Sequence, residues 1–256
     1  MPFQPIQPEK RADAVIRQIE LLILRGILRP GERLPAERDL AERMAVSRPS
    51  LREALSTLQD RGLLEPRAGS GVYVADVLGD AFSPALVSLF QRHEEAVFDY
   101  LSFRRDLEGQ AAERAARDGL EADLALVDTV MQKMQRAHDA NDPAEEARLD
   151  AEFHMAILEA SHNTVLLHMM RSMFALLRQG VFDNREILFA HSATRESLLA
   201  QHAAINTALQ DRAPARARAA VETHLDFVRA AYQAHLAAER HAEIARMRLH
   251  QEQRRD

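Results

Sequence analysis

The sequence predicts a mainly α protein in two parts, an N-terminal winged helix-turn-helix and a C-terminal all-helical bundle of six or seven helices. Three observations carry this. Between residues 33 and 62, two short segments with apolar residues at helical spacing are separated by a brief turn at Ala45-Val46. Directly after them, the glycine-rich RAGSG joins two short β-prone runs, Leu63-Leu64-Glu65 and Val72-Tyr73-Val74. From Ala81 onward Gly and Pro become sparse, and Ala, Leu, Glu and Arg dominate with helical periodicity.

Taken in order, Val15, Ile19, Leu22 and Ile23 fall at i, i+4, i+7 and i+8, one stripe of a first helix that Gly26 and Pro30-Gly31 bring to a close. Pro35 suits the first turn of a short second helix whose inner face is Leu40, Ala41 and Met44. Ser47 can cap the third helix by accepting a hydrogen bond from a free backbone N–H. Leu51, Ala54, Leu55 and Leu58 then form a buried stripe that Gly62 ends. The two β-prone runs read as a small hairpin. Beyond it, breaks near Asp118-Gly119, Asn141-Asp142-Pro143, Ser161 to Asn163, Gly180, Ser192 and Asp211 to Pro214 separate the helices of the bundle. The last stretch, AERHAEIARMRLHQEQRRD, is a polar helical tail expected to fray. The expected organisation is a winged module at 1–78, a helical domain at 79–240 and a tail at 241–256.

A chain of 256 residues exceeds the usual single-domain size, and 46% hydrophobic residues supply apolar surface for two cores. The absence of cysteine excludes disulfides and thiolate ligands and fits a reducing cytoplasm, so any metal must use His, Asp or Glu. MPFQPIQPEK lacks the basic start and apolar run of a signal peptide. No apolar stretch approaches the roughly 18 residues that span a membrane. A cytoplasmic location is the expectation. The net charge of −6 averages unlike halves: residues 1–75 hold 12 Arg plus Lys against 10 Asp plus Glu, about +2, and the remainder 21 against 29, about −8. All 11 histidines lie between His93 and His250.

In a winged helix-turn-helix the second helix of the motif enters the major groove with its N-terminal side chains at the base edges. Arg48, Ser50 and Arg52 occupy that leading end, and Arg38 lies on the preceding helix. An arginine fork pairs with guanine O6 and N7, and serine hydroxyls hold phosphates. Gly69 and Gly71 would let the wing backbone approach DNA. These residues together predict binding to double-stranded DNA.

In the second part, LDAEFHMAI at 149–157 sets Asp150 and His154 one helical turn apart, on the same side of a helix. A solvated ion pair and a first-row metal site both fit that spacing.

The segment LRPGERLPAERDLAERMAVSRPSLREALSTLQDRGLLEPRAGSGVYV resembles the winged helix of the GntR family of bacterial transcription regulators. The helical region is similar, over nearly all of residues 85–237, to the ligand-binding domain of its FadR subfamily, the FCD type. The motifs are FRRDLEGQAAERAA at 103–116, DAEFHMAILEASHN at 150–163, His202 in AQHAAI and His224 in VETHLDF. The resemblance implies operator contacts from Arg38, Arg48, Arg52 and Gly69, with Ser47 and Ser50 touching phosphates or capping the helix. It implies a divalent metal on Asp150, His154, His202 and His224, a set that suits Zn, Ni, Fe or Mn better than Ca or Mg, with zinc the first choice. His162, His168 and His191 are further candidates. A metal with open positions can anchor a short 2-hydroxy or 2-keto acid, and DAEFHMAILEASHNTVLLHMMRSMF looks like the branch responding to pyruvate, lactate or glycolate. Arg104 is then the first choice to meet the carboxylate, with Asn163 and Arg171 as further candidates. The resemblance also implies a homodimer; repression relieved by the ligand is the default expectation.

The sequence contains no HExxH, no GxSxG and no glycine-rich phosphate loop after a strand. That favours a sensor over an enzyme. A metal-dependent hydrolase and a regulator whose pocket needs no metal stay open as alternatives.

Overall fold

The computed structural model describes residues 10–76, 84–178 and 192–253. The expected break at Gly180 and the candidate His191 lie outside the described residues. The chain divides into two compact units, Met1–Ala81 and Phe82–Asp256.

The first unit contains α1 (Arg11–Leu24), α2 (Glu37–Arg43), α3 (Arg48–Asp60), β1 (Leu64–Arg67) and β2 (Gly71–Val74). Its core is built from the predicted stripes. Val15, Ile16, Ile19 and Ile23 of α1 pack with Leu51, Ala54, Leu55 and Leu58 of α3, and Ala41, Leu64 and Val74 close the cluster. In the turn between α2 and α3, Ala45 takes φ +50°, and Val46 N–H donates to Ala41 O at 3.0 Å. Ser47 caps α3, its Oγ accepting from Ser50 N–H at 3.3 Å.

Pro35 precedes Ala36, the N-cap of α2, so it lies ahead of the helix and not in its first turn. The reason is upstream pairing: Leu34 N–H donates to Val72 O at 2.9 Å, which keeps the chain extended until Pro35. Gly62 ends α3 at φ +71°, a left-handed position open to glycine at no steric cost. β1 and β2 then pair antiparallel, with Leu64 opposite Val74 and Arg67 opposite Gly71.

Among the described residues the second unit has seven helices: α4 (Pro84–Arg92), α5 (Glu94–Asp118), α6 (Glu121–Asp139), α7 (Pro143–Ala160), α8 (Thr164–Arg178), α9 (Ser192–Gln210) and α10 (Pro214–Gln253). Asp142 caps α7 by accepting from Glu145 N–H at 3.0 Å, with Pro143 at the first helical position. α5 and α10 pack along one another. At their crossing, a Cβ on Gly109 would come 3.3 Å from Glu222 Cγ, so glycine permits the close approach.

Two apolar clusters fill the bundle. One joins Ala112, Ala115 and Ala116 of α5 to Val127 and Met134 of α6, Phe153 and Ile157 of α7, Ile205 of α9 and Val221 of α10. The other joins Tyr100 and Leu101 of α5 to Leu158 of α7, Met170 and Phe174 of α8, Leu198 of α9 and Val228 of α10. Helices α5, α7, α9 and α10 therefore contribute to both, and the buried polar residues sit on these four, apart from Ser161 just after α7. α10 continues unbroken through the polar tail, whose residues from Glu239 to Gln253 are exposed. No helix among the described residues is long and apolar enough to cross a membrane.

Candidate nucleic-acid interface and candidate metal centre

In the first unit, α3 presents Arg48 at its first position, with Ser50 and Arg52 on the turn that follows. Arg38 and Arg48 are exposed, and neither guanidinium has a side-chain partner among the described residues. Arg52 differs: its Nε donates to Glu37 Oε2 at 2.8 Å, tying α3 to α2. Such an exposed pair contributes at most about 1 kcal/mol and can be exchanged for a phosphate. The Ser47 and Ser50 hydroxyls lie 2.9 Å apart at the cap. Gly69, at φ +69°, forms the exposed wing turn.

In the second unit, Asp150 and His154 come from α7, His202 from α9 and His224 from α10. All four are buried, and one donor atom from each lies within 4.8 Å of every other. His202 Nε2 is 3.4 Å from His154 Nε2 and 3.2 Å from Asp150 Oδ1; His154 Nε2 is 3.7 Å from the same oxygen. Metal–ligand bonds of about 2.0–2.1 Å separate ligand atoms in adjacent positions by about 3 Å, so these distances fit a first-row ion. The edge of Phe153 packs on His202 with ring centroids 5.2 Å apart and adds an apolar wall.

Protonation also suits a ligand set. Burial pushes His202 below its ordinary value, outweighing the hydrogen bond and charge of Asp150, and His154 and Arg104 add to the depression. Burial, then the neighbouring His202 and His154, drive His224 well below the usual histidine range. Both rings are therefore neutral at pH 7, with lone pairs available to a cation.

Two residues that sequence reasoning did not single out orient this set. Gln201 Oε1 lies 3.0 Å from His224 Nδ1, so the ring proton sits on Nδ1 and Nε2 keeps its lone pair. Glu108 on α5 places Oε2 2.6 Å from His154 Nδ1, a close contact off the line of a good hydrogen bond. Such partners fix the orientation of ligating histidines. Glu108 also accepts from Arg104, at 2.6 Å from Nε and 3.4 Å from Nη2. Burial disfavours both charges, yet each holds the other ionised: Arg104 is raised, and Glu108 is held at about 2 by Arg104 and His154. The Arg104–Glu108 spacing of four was visible in the sequence; the contact with His154, 46 positions on, carried no local signal.

The remaining candidates have other neighbours. Asn163 Oδ1 accepts from Leu166 N–H at 3.2 Å and caps α8. Arg171 Nη2 donates to Glu159 Oε1 at 2.8 Å. His162 Nε2 lies 2.6 Å from Asp123 Oδ2 at the start of α6. His168 is half-buried on α8 and stands outside the four-residue cluster.

Each of the two units matches a known family. Residues 11–74 match the bacterial regulatory proteins of the gntR family, and residues 99–227 match the FCD domain. The chain is 34% identical over 220 residues to the Glc operon transcriptional activator of Escherichia coli (strain K12), covering 85% of this chain and 87% of that protein. It is 34% identical over 230 residues, 87% and 86% of the two chains, to the "Putative L-lactate dehydrogenase operon regulatory protein" of the same strain. The HTH-type transcriptional regulator LutR of Bacillus subtilis (strain 168) is 33% identical over 205 residues, 80% of this chain and 93% of its own. Among solved structures, Streptococcus agalactiae GntR matches with a TM-score of 0.51 at 27% identity, covering 85% of this chain and 98% of that one.

Proposed function

Since the chain belongs to the gntR family of bacterial regulatory proteins, in its FCD-bearing FadR subfamily, and is a DNA-binding transcription regulator of that type, we propose that it is a one-component sensor of a short organic acid. A cytoplasmic homodimer reads operator DNA through two winged helices. Each bundle holds a divalent transition metal, zinc first, and beside it a 2-hydroxy or 2-keto acid such as lactate, pyruvate or glycolate.

The observation that carries this reading is the buried set Asp150, His154, His202 and His224 within one ion's reach. A bound metal would supply Lewis-acidic positions for a carboxylate and its neighbouring oxygen. Asp150 contributes the negative charge and the histidines neutral donors, while Glu108 and Gln201 hold two of the rings in place. Arg104 is the cation we assign to the acid's carboxylate, because its charge already acts on His202 and His224. Asn163 and Arg171 join the pocket in this proposal at a second remove, by setting the start of α8 and its link to α7. The relative named for an L-lactate dehydrogenase operon supports a 2-hydroxy acid.

Reading DNA falls to Arg38, Arg48 and Arg52, with Ser47, Ser50 and the Gly69 backbone at phosphates. A two-fold dimer doubles these contacts and fixes the half-site spacing. Acid binding shifts an existing equilibrium between operator-competent and incompetent dimers, and repression relieved by the acid is the expected sign.

The test is fluorescence anisotropy of metal-saturated protein on the DNA upstream of its own gene, titrated with pyruvate, lactate, glycolate and other short acids. One acid should lower operator affinity; if none changes it, the sensor reading fails. In the same assay Arg48→Ala should cost roughly 1 to 3 kcal/mol of specific binding and relax the preference for operator over scrambled DNA. An unchanged preference would reassign Arg48 to a phosphate.

A further inference from the structure

Residues 31–34 run antiparallel beside β2, joined to it through one β-bridge. Gly31 N–H donates to Val74 O, Val74 N–H to Glu32 O and Leu34 N–H to Val72 O, each at 2.9 Å. Arg33 thus stands opposite Tyr73. It is the narrow, non-hydrogen-bonded kind of antiparallel pair, in which the two side chains rise close together on one face. Glu65 is opposite Tyr73 and Arg67 opposite Gly71 on the other side of β2. By strand alternation Arg33, Tyr73, Glu65 and Arg67 share the outer face. Leu34, Leu64 and Val74 turn the other way, into the core.

Gly71 decides where Arg33 points. A Cβ at Gly71 would lie 3.2 Å from Arg33 Nε and 3.5 Å from Nη2. The guanidinium therefore leans from its own position opposite Tyr73 two residues along β2, toward the wing turn at 68–70. Gly71 also has φ +111°, which L side chains rarely adopt. The backbone favours glycine there, and the overlying side chain leaves a Cβ little room.

The two cations of this face differ in how they are spent. Arg67 stacks over the Tyr73 ring at 4.3 Å and donates to Glu65 Oε1 from Nε and Nη2 at 2.9 and 2.6 Å. Tyr73 in turn meets Ser70 of the turn, with its hydroxyl 2.5 Å from Ser70 Oγ. Arg33 is exposed, and its guanidinium has no acidic partner among the described residues. It is an exposed cation lying over Gly71 without an acidic partner among the described residues, on a module that binds a polyanion.

We propose that Arg33 is a DNA-contact residue of the wing, binding a backbone phosphate beside the groove that the wing turn borders. Its contribution is to affinity and docking, not to sequence preference, because phosphates position a protein on DNA and carry no base identity.

The test uses the full chain. Wild-type protein first selects a duplex from a random pool, and affinity for that duplex and for a scrambled one of equal length is followed by anisotropy over a salt series. Arg33→Met keeps an unbranched stem over Gly71 and removes the charge. It should reduce the slope of log affinity against log salt by about 0.9, and weaken both duplexes alike, by about eightfold at 0.1 M salt. Arg33→Lys should stay within about twofold of wild type, since a phosphate accepts a point charge. An unaltered salt slope in Arg33→Met overturns the proposal, as does a loss confined to the selected duplex, which would make Arg33 a base reader. An equal loss in Arg33→Lys, accompanied by a lower melting midpoint in both variants, would assign the residue to packing and overturn it as well.

Discussion

Replacing Glu108 by alanine is expected to destabilise the C-terminal unit by about 3 to 5 kcal/mol, because it strands a buried cation. Arg104 is 3% exposed and Glu108 2%, so the guanidinium has almost no water to turn to once its carboxylate is gone. The rings of Phe174 and Tyr100, 5.0 and 5.8 Å from the guanidinium carbon, offer only partial compensation. Urea unfolding followed on the bundle's transition measures the loss. Removing both charges in Arg104→Met/Glu108→Leu should recover most of it, since an apolar pair of similar volume avoids the desolvation of two ions. A single-variant loss below about 1 kcal/mol would mean that Arg104 is rehydrated or finds another acid.

The same pair sets a pH dependence whose sign is fixed. Burial alone would raise the Glu108 carboxyl, but Arg104 and His154 outweigh it and hold it at about 2, below its ordinary 4.5. A depressed carboxyl gives stability that is fully present above the unfolded value, near 4.5. That contribution is lost as pH falls from there through about 2.

The second large effect is expected from metal. An ion that binds the folded bundle and not the unfolded chain stabilises it by RT ln(1 + [M]/Kd), about 4 kcal/mol at a thousandfold excess over Kd. Thermal unfolding of chelator-stripped protein, repeated with Zn, Ni and Mn, should show a concentration-dependent rise in midpoint that the chelator reverses. In His202→Ala the increment should vanish, whatever that variant's own metal-free stability, because His202 Nε2 lies within 3.4 Å of both His154 Nε2 and Asp150 Oδ1. An increment of equal size in wild type and His202→Ala would exclude the four-residue site as its source. Acidification should weaken metal binding, since each imidazole must be neutral to donate.

Legibility in the sequence follows interaction range. The helix-turn-helix was readable because each signal is local: a stripe at helical spacing, a serine at the cap, glycines at the turns. The four candidate ligands were half readable. Asp150 and His154 are one turn apart on one helix, so their shared face follows from helical geometry alone. His202 and His224 entered through resemblance to the FCD domain, and nothing in their own neighbourhoods distinguished them from other bundle histidines.

Pairings across the chain were not readable. Arg52 was expected to face DNA, and its link to Glu37 on α2 depends on how two helices cross. Pro35 was expected inside α2, but a strand pairing with Val72, 37 residues away from it, delays the helix. Glu108 was not singled out: its spacing of four from Arg104 is local, but only the packing of α5 against α7 brings it to His154.

The sequence by itself determined which segments are helical and which faces are apolar, because those properties follow from backbone propensity and periodic burial; the start of α2 and the break between α4 and α5 it did not give. Tertiary structure alone decided which polar groups meet in the dry interior. Burial sets the cost of each unmatched charge, so Arg104, Glu108, His154 and Asp150 acquire their roles from neighbours that arrive from other helices. On the wing the same holds in miniature: a glycine at 71 could be read as a turn signal, but that the Arg33 side chain lies over it follows only from the bridge between Arg33 and Tyr73.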